Sequence, residues 1–178
     1  LPADHLAAIS DSGTKALAAS QTVAVLLPAT MVFLGKRTQA PARRLLDAGA
    51  AVALASDYNP GTSPTMSLPL VMALGVSQLG LRHAEVVTAV TINAAAALGL
   101  AQDRGQIAPG YAADLTITGV EDWREVAGRG IDDLQYLGGC LLLLQRLARL
   151  SQQPRVLHRD NRLRREVLQQ RDFPVRER

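Results

Sequence analysis

Ala55-Ser56-Asp57-Tyr58-Asn59-Pro60-Gly61-Thr62-Ser63-Pro64 follows directly on the apolar run Ala50-Ala51-Val52-Ala53-Leu54. The run reads as a buried strand, Ala50–Ala55, and the polar stretch as the loop leaving it. Asp57 thus stands where a core strand gives way to solvent. In barrel enzymes, polar residues at the C-terminal ends of strands belong to the active site. A carboxylate there can hold a metal and take a proton from its bound water. Asn59, Gly61 and Thr62 can offer an amide, a backbone N–H and a hydroxyl to a carboxylate-bearing substrate. A purely structural alternative stays open, in which Asp57 closes an Asx-turn on the amides that follow it.

Upstream, Thr22-Val23-Ala24-Val25-Leu26-Leu27 is a second β-branched apolar run, ended by Pro28. Ser10-Asp11-Ser12-Gly13 supplies cap residues for a helix that continues to Ser20. Pro41 to Gly49 is a helix with Pro near its start and Gly at its end. The first 57 residues therefore read helix, strand, helix, strand. Both strands are continuously apolar, as parallel strands covered on both faces are.

Downstream, Ser67 to Gly80 predicts a helix, with Pro69 tolerated in its first turn. Arg82 to Leu98 predicts a second helical stretch with Gly99 as its C-cap. Gly105 to Leu115 reads as two short strands around Pro109-Gly110, and Leu115-Thr116-Ile117-Thr118 alternates like a half-exposed strand. Cys140 to Leu150 predicts a helix that Pro154 breaks.

With 178 residues, 48% of them hydrophobic, the chain can bury a real core. Its single cysteine, Cys140, rules out an intrachain disulfide, so a reducing cytoplasm is the expected setting. Leu1-Pro2-Ala3-Asp4-His5 shows no secretory leader pattern, and no apolar run is long enough to span a membrane. The net charge of +3 comes from the last 24 residues, where eight arginines face four acids; the preceding residues sum to −1. No nucleic-acid patch is expected on the body. His83 reads as a helix cap or solvated face, Met66 and Met72 as core filler, Tyr58 as a packing residue, His158 as exposed and Cys140 as a buried apolar side chain.

Five segments together resemble the amidohydrolase superfamily, and within it the imidazolonepropionase family of histidine degradation. They are Asp4-His5-Leu6, Val23-Ala24-Val25-Leu26-Leu27-Pro28, Ser56 to Ser63, Thr91-Ile92-Asn93-Ala94-Ala95, and Gly105-x-Ile107-x-x-Gly110-x-x-Ala113-Asp114-Leu115. The last two occur widely in amidohydrolases; the Asp-x-Asn-Pro-Gly-Thr-Ser run is the specific one. The resemblance implies an α/β fold: residues 1–104 as the C-terminal part, about strands six to eight, of a metal-dependent-hydrolase TIM (β/α)8 barrel. Residues 105–127 are then return strands of a small β-sandwich, while 128–178, unlike the family, is read as an atypical basic tail, helical or disordered.

The implied reaction hydrolyses 4-imidazolone-5-propanoate to N-formimidoyl-L-glutamate with one Zn2+ or Fe3+. Asp57 matches a metal ligand and proton acceptor, and His5 a histidine that positions or activates the water. Asn59, Gly61 and Thr62 match positions that hold the glutamate-like part of substrate or product. Asp114 matches a structural turn. The intact enzyme is expected to be a homodimer. Another amidohydrolase, a deaminase or cyclic amidase, is the first alternative. A non-catalytic remnant that binds through its basic tail is the second.

The resemblance is partial. The family's His-x-His motif, its histidine after strand five, and its substrate-gripping arginine and tyrosine have no counterparts here. Asp57 is one ligand where a catalytic zinc site needs about three from protein. The chain alone is therefore expected to be inactive. After Trp123-Arg124-Glu125-Val126-Ala127 the family's last β-hairpin is not seen, and a change of reading frame or gene structure near Gly128 is the expected cause.

Overall fold

The computed structural model describes residues 1–128. The chain divides into two units, Leu1–Leu134 and Gln135–Arg178, and every described residue lies in the first. The expected helix Cys140 to Leu150, the Arg-rich tail, Cys140 and His158 all fall outside the described residues.

Three strands form one parallel sheet in the order β1 (Pro2–Asp4), β2 (Val23–Leu26), β3 (Val52–Leu54). Asp4 lies beside Val25 and Val25 beside Ala53, so all three strands end at one edge of the sheet. Every residue of β2 and β3 is buried, as their unbroken apolar sequence requires. β1 is exposed on its outer side.

Helix α1 (Asp11–Ala18) joins β1 to β2 and is capped by Ser10, whose hydroxyl accepts from Gly13 N–H at 3.0 Å. Two short helices, α2 (Pro28–Phe33) and α3 (Ala42–Asp47), join β2 to β3. α2 was not expected; Pro28 opens it because a fixed φ and a missing N–H cost nothing at a helix start. α4 (Leu68–Ser77), capped by Ser67, carries six consecutive buried residues, Leu70 to Gly75. Gly75 is what allows α4 to sit so close to β3: a Cβ there would come within 2.8 Å of Leu54 Cδ1 and 3.1 Å of Val86 Cγ2.

The expected helix Arg82 to Leu98 is two helices, α5 (His83–Val90) and α6 (Ile92–Ala97). Thr91 breaks it. Its backbone leaves the helical region at φ −121°, ψ −87°, while its hydroxyl donates back to Val87 O at 2.6 Å. The turn has a use. It lets Ala96 and Ala97 cover the face of the sheet made by Val23, Val25, Leu27 and Ala53. It also brings Asn93 Nδ2 within 2.8 Å of Val52 O. The β2 bonds run through Ala51 O and Ala55 N–H, so Val52 O points to the side of β3 that has no neighbouring strand. Gly99 takes φ +73° just beyond α6, as expected of a C-terminal glycine.

The segment after α6 departs from expectation. The Pro109-Gly110 turn is present, with Tyr111 N–H donating to Ala108 O at 3.1 Å. Yet no strand forms anywhere in residues 105–128, neither beside that turn nor at Leu115 to Thr118. A strand needs a partner for its backbone groups, and none of the described strands lies beside it. The loop is held at its start instead. Ala112 N–H donates to Asp103 O at 2.8 Å, and Arg104 pairs with Asp114 at 3.0 Å. Gly105, at φ +92°, has Ala95 Cβ and Thr91 O where its own Cβ would be. Met72 is buried as expected, but Met66 is 75% exposed and is no part of the core.

Candidate active site

The sheet edge where all three parallel strands end collects the residues singled out by sequence. His5 follows β1 directly, and its N–H continues the ladder by donating to Val25 O at 3.0 Å. It then turns into the left-handed region at φ +67°, followed by Leu6 at +59°. Such conformations are uncommon outside glycine and cluster at functional positions. The His5 side chain is exposed.

Asp57 lies three residues beyond β3, also left-handed, at φ +52°. Its side chain is half-buried. Asp57 Oδ2 accepts a hydrogen bond from Thr30 Oγ1 at 2.8 Å. Thr30 sits in the first turn of α2, directly beyond the end of β2, and is only 3% exposed. Two strand ends thus meet through one buried hydroxyl and one carboxylate. Sequence reasoning did not single out Thr30. The only signal was a hydroxyl two residues past Pro28, at the end of a core strand.

The loop after Asp57 is braced from within. Asn59 Oδ1 accepts from Gly61 N–H at 3.0 Å and Thr62 N–H at 2.7 Å, while its Nδ2 donates to Asp57 O at 2.7 Å. Asn59 and Ser63 also exchange backbone bonds of 3.0 and 3.3 Å, and the buried Ser63 hydroxyl donates to Ser56 O at 2.5 Å. The Asx-turn weighed for Asp57 therefore belongs to Asn59. The amide of Asn59 and the N–H of Gly61 are not bare, as expected, but bonded to each other; the loop's own geometry satisfies them first. The Tyr58 side chain is exposed rather than packed.

Among the described residues, no three of His, Cys, Asp or Glu come together as a metal site. The donor chemistry of Asp57 and His5 suits zinc or iron, but their number does not fill a site. Asp114, read as structural, is engaged in the ion pair with Arg104.

Against known proteins, the amidohydrolase family model matches residues 5–137. The chain belongs to the amidohydrolase family. The imidazolonepropionase of Bacillus velezensis is 51% identical over 115 residues, which are 65% of this chain and 27% of that protein. That of Deinococcus deserti is 51% identical over 71% of this chain and 31% of its own length. That of Deinococcus radiodurans is 45% identical over 80% of this chain and 36% of its own. The chain thus spans about a third or less of the curated relatives it matches. A zinc-bound adenosine deaminase from Xanthomonas campestris superposes with a TM-score of 0.60 at 21% identity, covering 64% of this chain and 27% of that one. Escherichia coli guanine deaminase does so at 0.53 and 20%, covering 63% and 27%. These two likenesses concern the fold.

Proposed function

We propose that this chain is the C-terminal part, about strands six to eight, of an imidazolonepropionase. The complete enzyme hydrolyses the ring C–N amide bond of 4-imidazolone-5-propanoate to give N-formimidoyl-L-glutamate. The observation that carries this reading is Asp57, held at the end of a parallel core strand by Thr30 in a chain that is 51% identical to imidazolonepropionases over 65–71% of its length. Asp57 accepts the proton of the attacking water, and His5 orients that water. A metal, Zn2+ or Fe3+, would be held by Asp57 only together with ligands from outside the described residues, and would supply Lewis-acid activation of water.

The loop after Asp57 receives the propanoate. A substrate carboxylate replaces Asn59 Oδ1 at the N–H groups of Gly61 and Thr62, and the freed Asn59 amide and Thr62 hydroxyl complete the grip. Residues 105–127 become strands of a small sandwich only beside the segments with which they pair. The complete enzyme works as a cytoplasmic homodimer on a small molecule. Among the described residues no helix is long and apolar enough to cross a membrane.

The test compares two proteins. One is this chain alone. The other is this chain fused behind the part of the Bacillus velezensis imidazolonepropionase that precedes the matched region. With added Zn2+ or Fe3+, the chain alone is expected to show no turnover of 4-imidazolone-5-propanoate. The fusion is expected to produce N-formimidoyl-L-glutamate and to lose that activity in D57N. Deamination of adenosine or guanine by the fusion, without ring opening of imidazolonepropanoate, would overturn the reading.

A further inference from the structure

We infer that Thr30 is a positioning residue for Asp57: its hydroxyl fixes Oδ2 and thereby aims Oδ1, the oxygen that no group among the described residues engages. No motif or relative described above assigns Thr30 a role. The inference rests on the reading of Asp57 as the working carboxylate and adds how that carboxylate is held.

Four observations carry it. Thr30 Oγ1 lies 2.8 Å from Asp57 Oδ2, a normal distance for a hydroxyl donating to a carboxylate. Thr30 is 3% exposed, so water competes poorly for the bond. The two residues are 27 apart in sequence and belong to neighbouring strand ends, so the bond is tertiary and not a by-product of local backbone geometry. Among the described residues Asp57 Oδ1 has no hydrogen-bond partner, and the neighbouring loop spends its polar groups on Asn59 instead.

A free aspartate side chain samples three staggered χ1 wells. A carboxylate that must meet a water proton needs one of them, because small misplacements of a reacting group cost large factors in rate. One hydroxyl at one oxygen is the least that removes this freedom while leaving the second oxygen open. The contact also ties α2 to the loop after β3, so the carboxylate inherits the rigidity of two core strands.

The experiment uses isotopically labelled 178-residue chain as wild type, T30V and T30S. Valine keeps the shape of threonine and removes the hydroxyl; serine keeps the hydroxyl. The three-bond couplings about χ1 of Asp57 are measured by NMR, with backbone amide shifts as the control for the fold. Wild type and T30S are expected to populate one χ1 well, and T30V to spread over three. A T30V chain that keeps one well would overturn the inference, since shape alone would then hold the carboxylate; so would a wild type already averaged. Should T30V not fold, D57A replaces it. The Thr30 hydroxyl proton, protected in wild type, is then expected to exchange rapidly, and unchanged protection would equally overturn the inference. None of these readings requires turnover, so their failure is distinct from failure of the proposed reaction.

Discussion

Pro2-Ala3-Asp4 and Leu115-Thr116-Ile117-Thr118 make an instructive pair. The first has a proline and an aspartate among three residues, and it forms a strand. The second alternates β-branched and apolar residues, and it does not. The difference is the neighbour. β1 lies against β2 in register, with Val23 N–H reaching Leu1 O at 3.1 Å and His5 N–H reaching Val25 O at 3.0 Å. Leu115 to Thr118 lies beside none of the described strands, and Ile117 is 95% exposed. Strand propensity measures fit to a pleated, half-buried surface, and without that surface it does little.

The sharpest way to break this contrast is to remove core volume from the paired region. Leu26 is fully buried in β2, and L26A is expected to cost about 2–5 kcal/mol, read as a fall in the denaturant midpoint. A cost below 1 kcal/mol would mean that the sheet is not the stable centre of the unit. Second comes Gly105, where the loop after α6 is packed against Thr91 and Ala95. In G105A the added methyl meets Thr91 O and Ala95 Cβ at a positive φ, and a loss of about 2–3 kcal/mol is expected from crowding and backbone strain together. Third, N59A removes the acceptor shared by Gly61 and Thr62 N–H. A loss of about 1–3 kcal/mol is expected, with faster amide exchange at both residues.

The smallest effects belong to the unpaired region. I117A is expected to change stability by less than about 0.5 kcal/mol, because its side chain already meets water. There too, Asp122 is held down to about 2 by hydrogen bonds from the Arg124 side chain and backbone. Its ionised form is favoured in the folded chain, so whatever it adds is present above the ordinary carboxylate range and is lost as pH falls towards 2. An NMR titration should find the Asp122 midpoint near 2, moving up towards the ordinary value in R124Q. A large effect from either change would show that residues 115–124, which precede the buried Ala127, are packed after all.

The parts of the fold that sequence disclosed are those with local causes. Continuous apolar runs marked β2 and β3, and serine, proline and glycine marked the ends of α1, α3 and α4. What escaped has causes far apart in the chain. β1 was implied by the family resemblance but not by its own residues; it is a strand because of β2. Thr91 looked like one more residue of an alanine-rich helix, and its break is understood only through Asn93 reaching Val52. At the candidate site, Asp57 was legible because a carboxylate after a core strand is conspicuous. Thr30 was not, since nothing near it announces a partner 27 residues away. Asn59 was seen as a group offered to substrate, whereas in this structure it is first the brace of its own loop.

Asn93 has a consequence for how a larger sheet would close. Val52 is the first residue of β3, and its outward carbonyl already has a donor in the Asn93 side chain. A strand added on that side would meet a first carbonyl that already has a donor, whereas the next outward one, at Leu54, has none from Asn93. In a closed barrel the offset between first and last strands determines tilt and radius together. Were β3 the last strand of such a barrel, this one amide side chain on a helix would bear on the register at its seam.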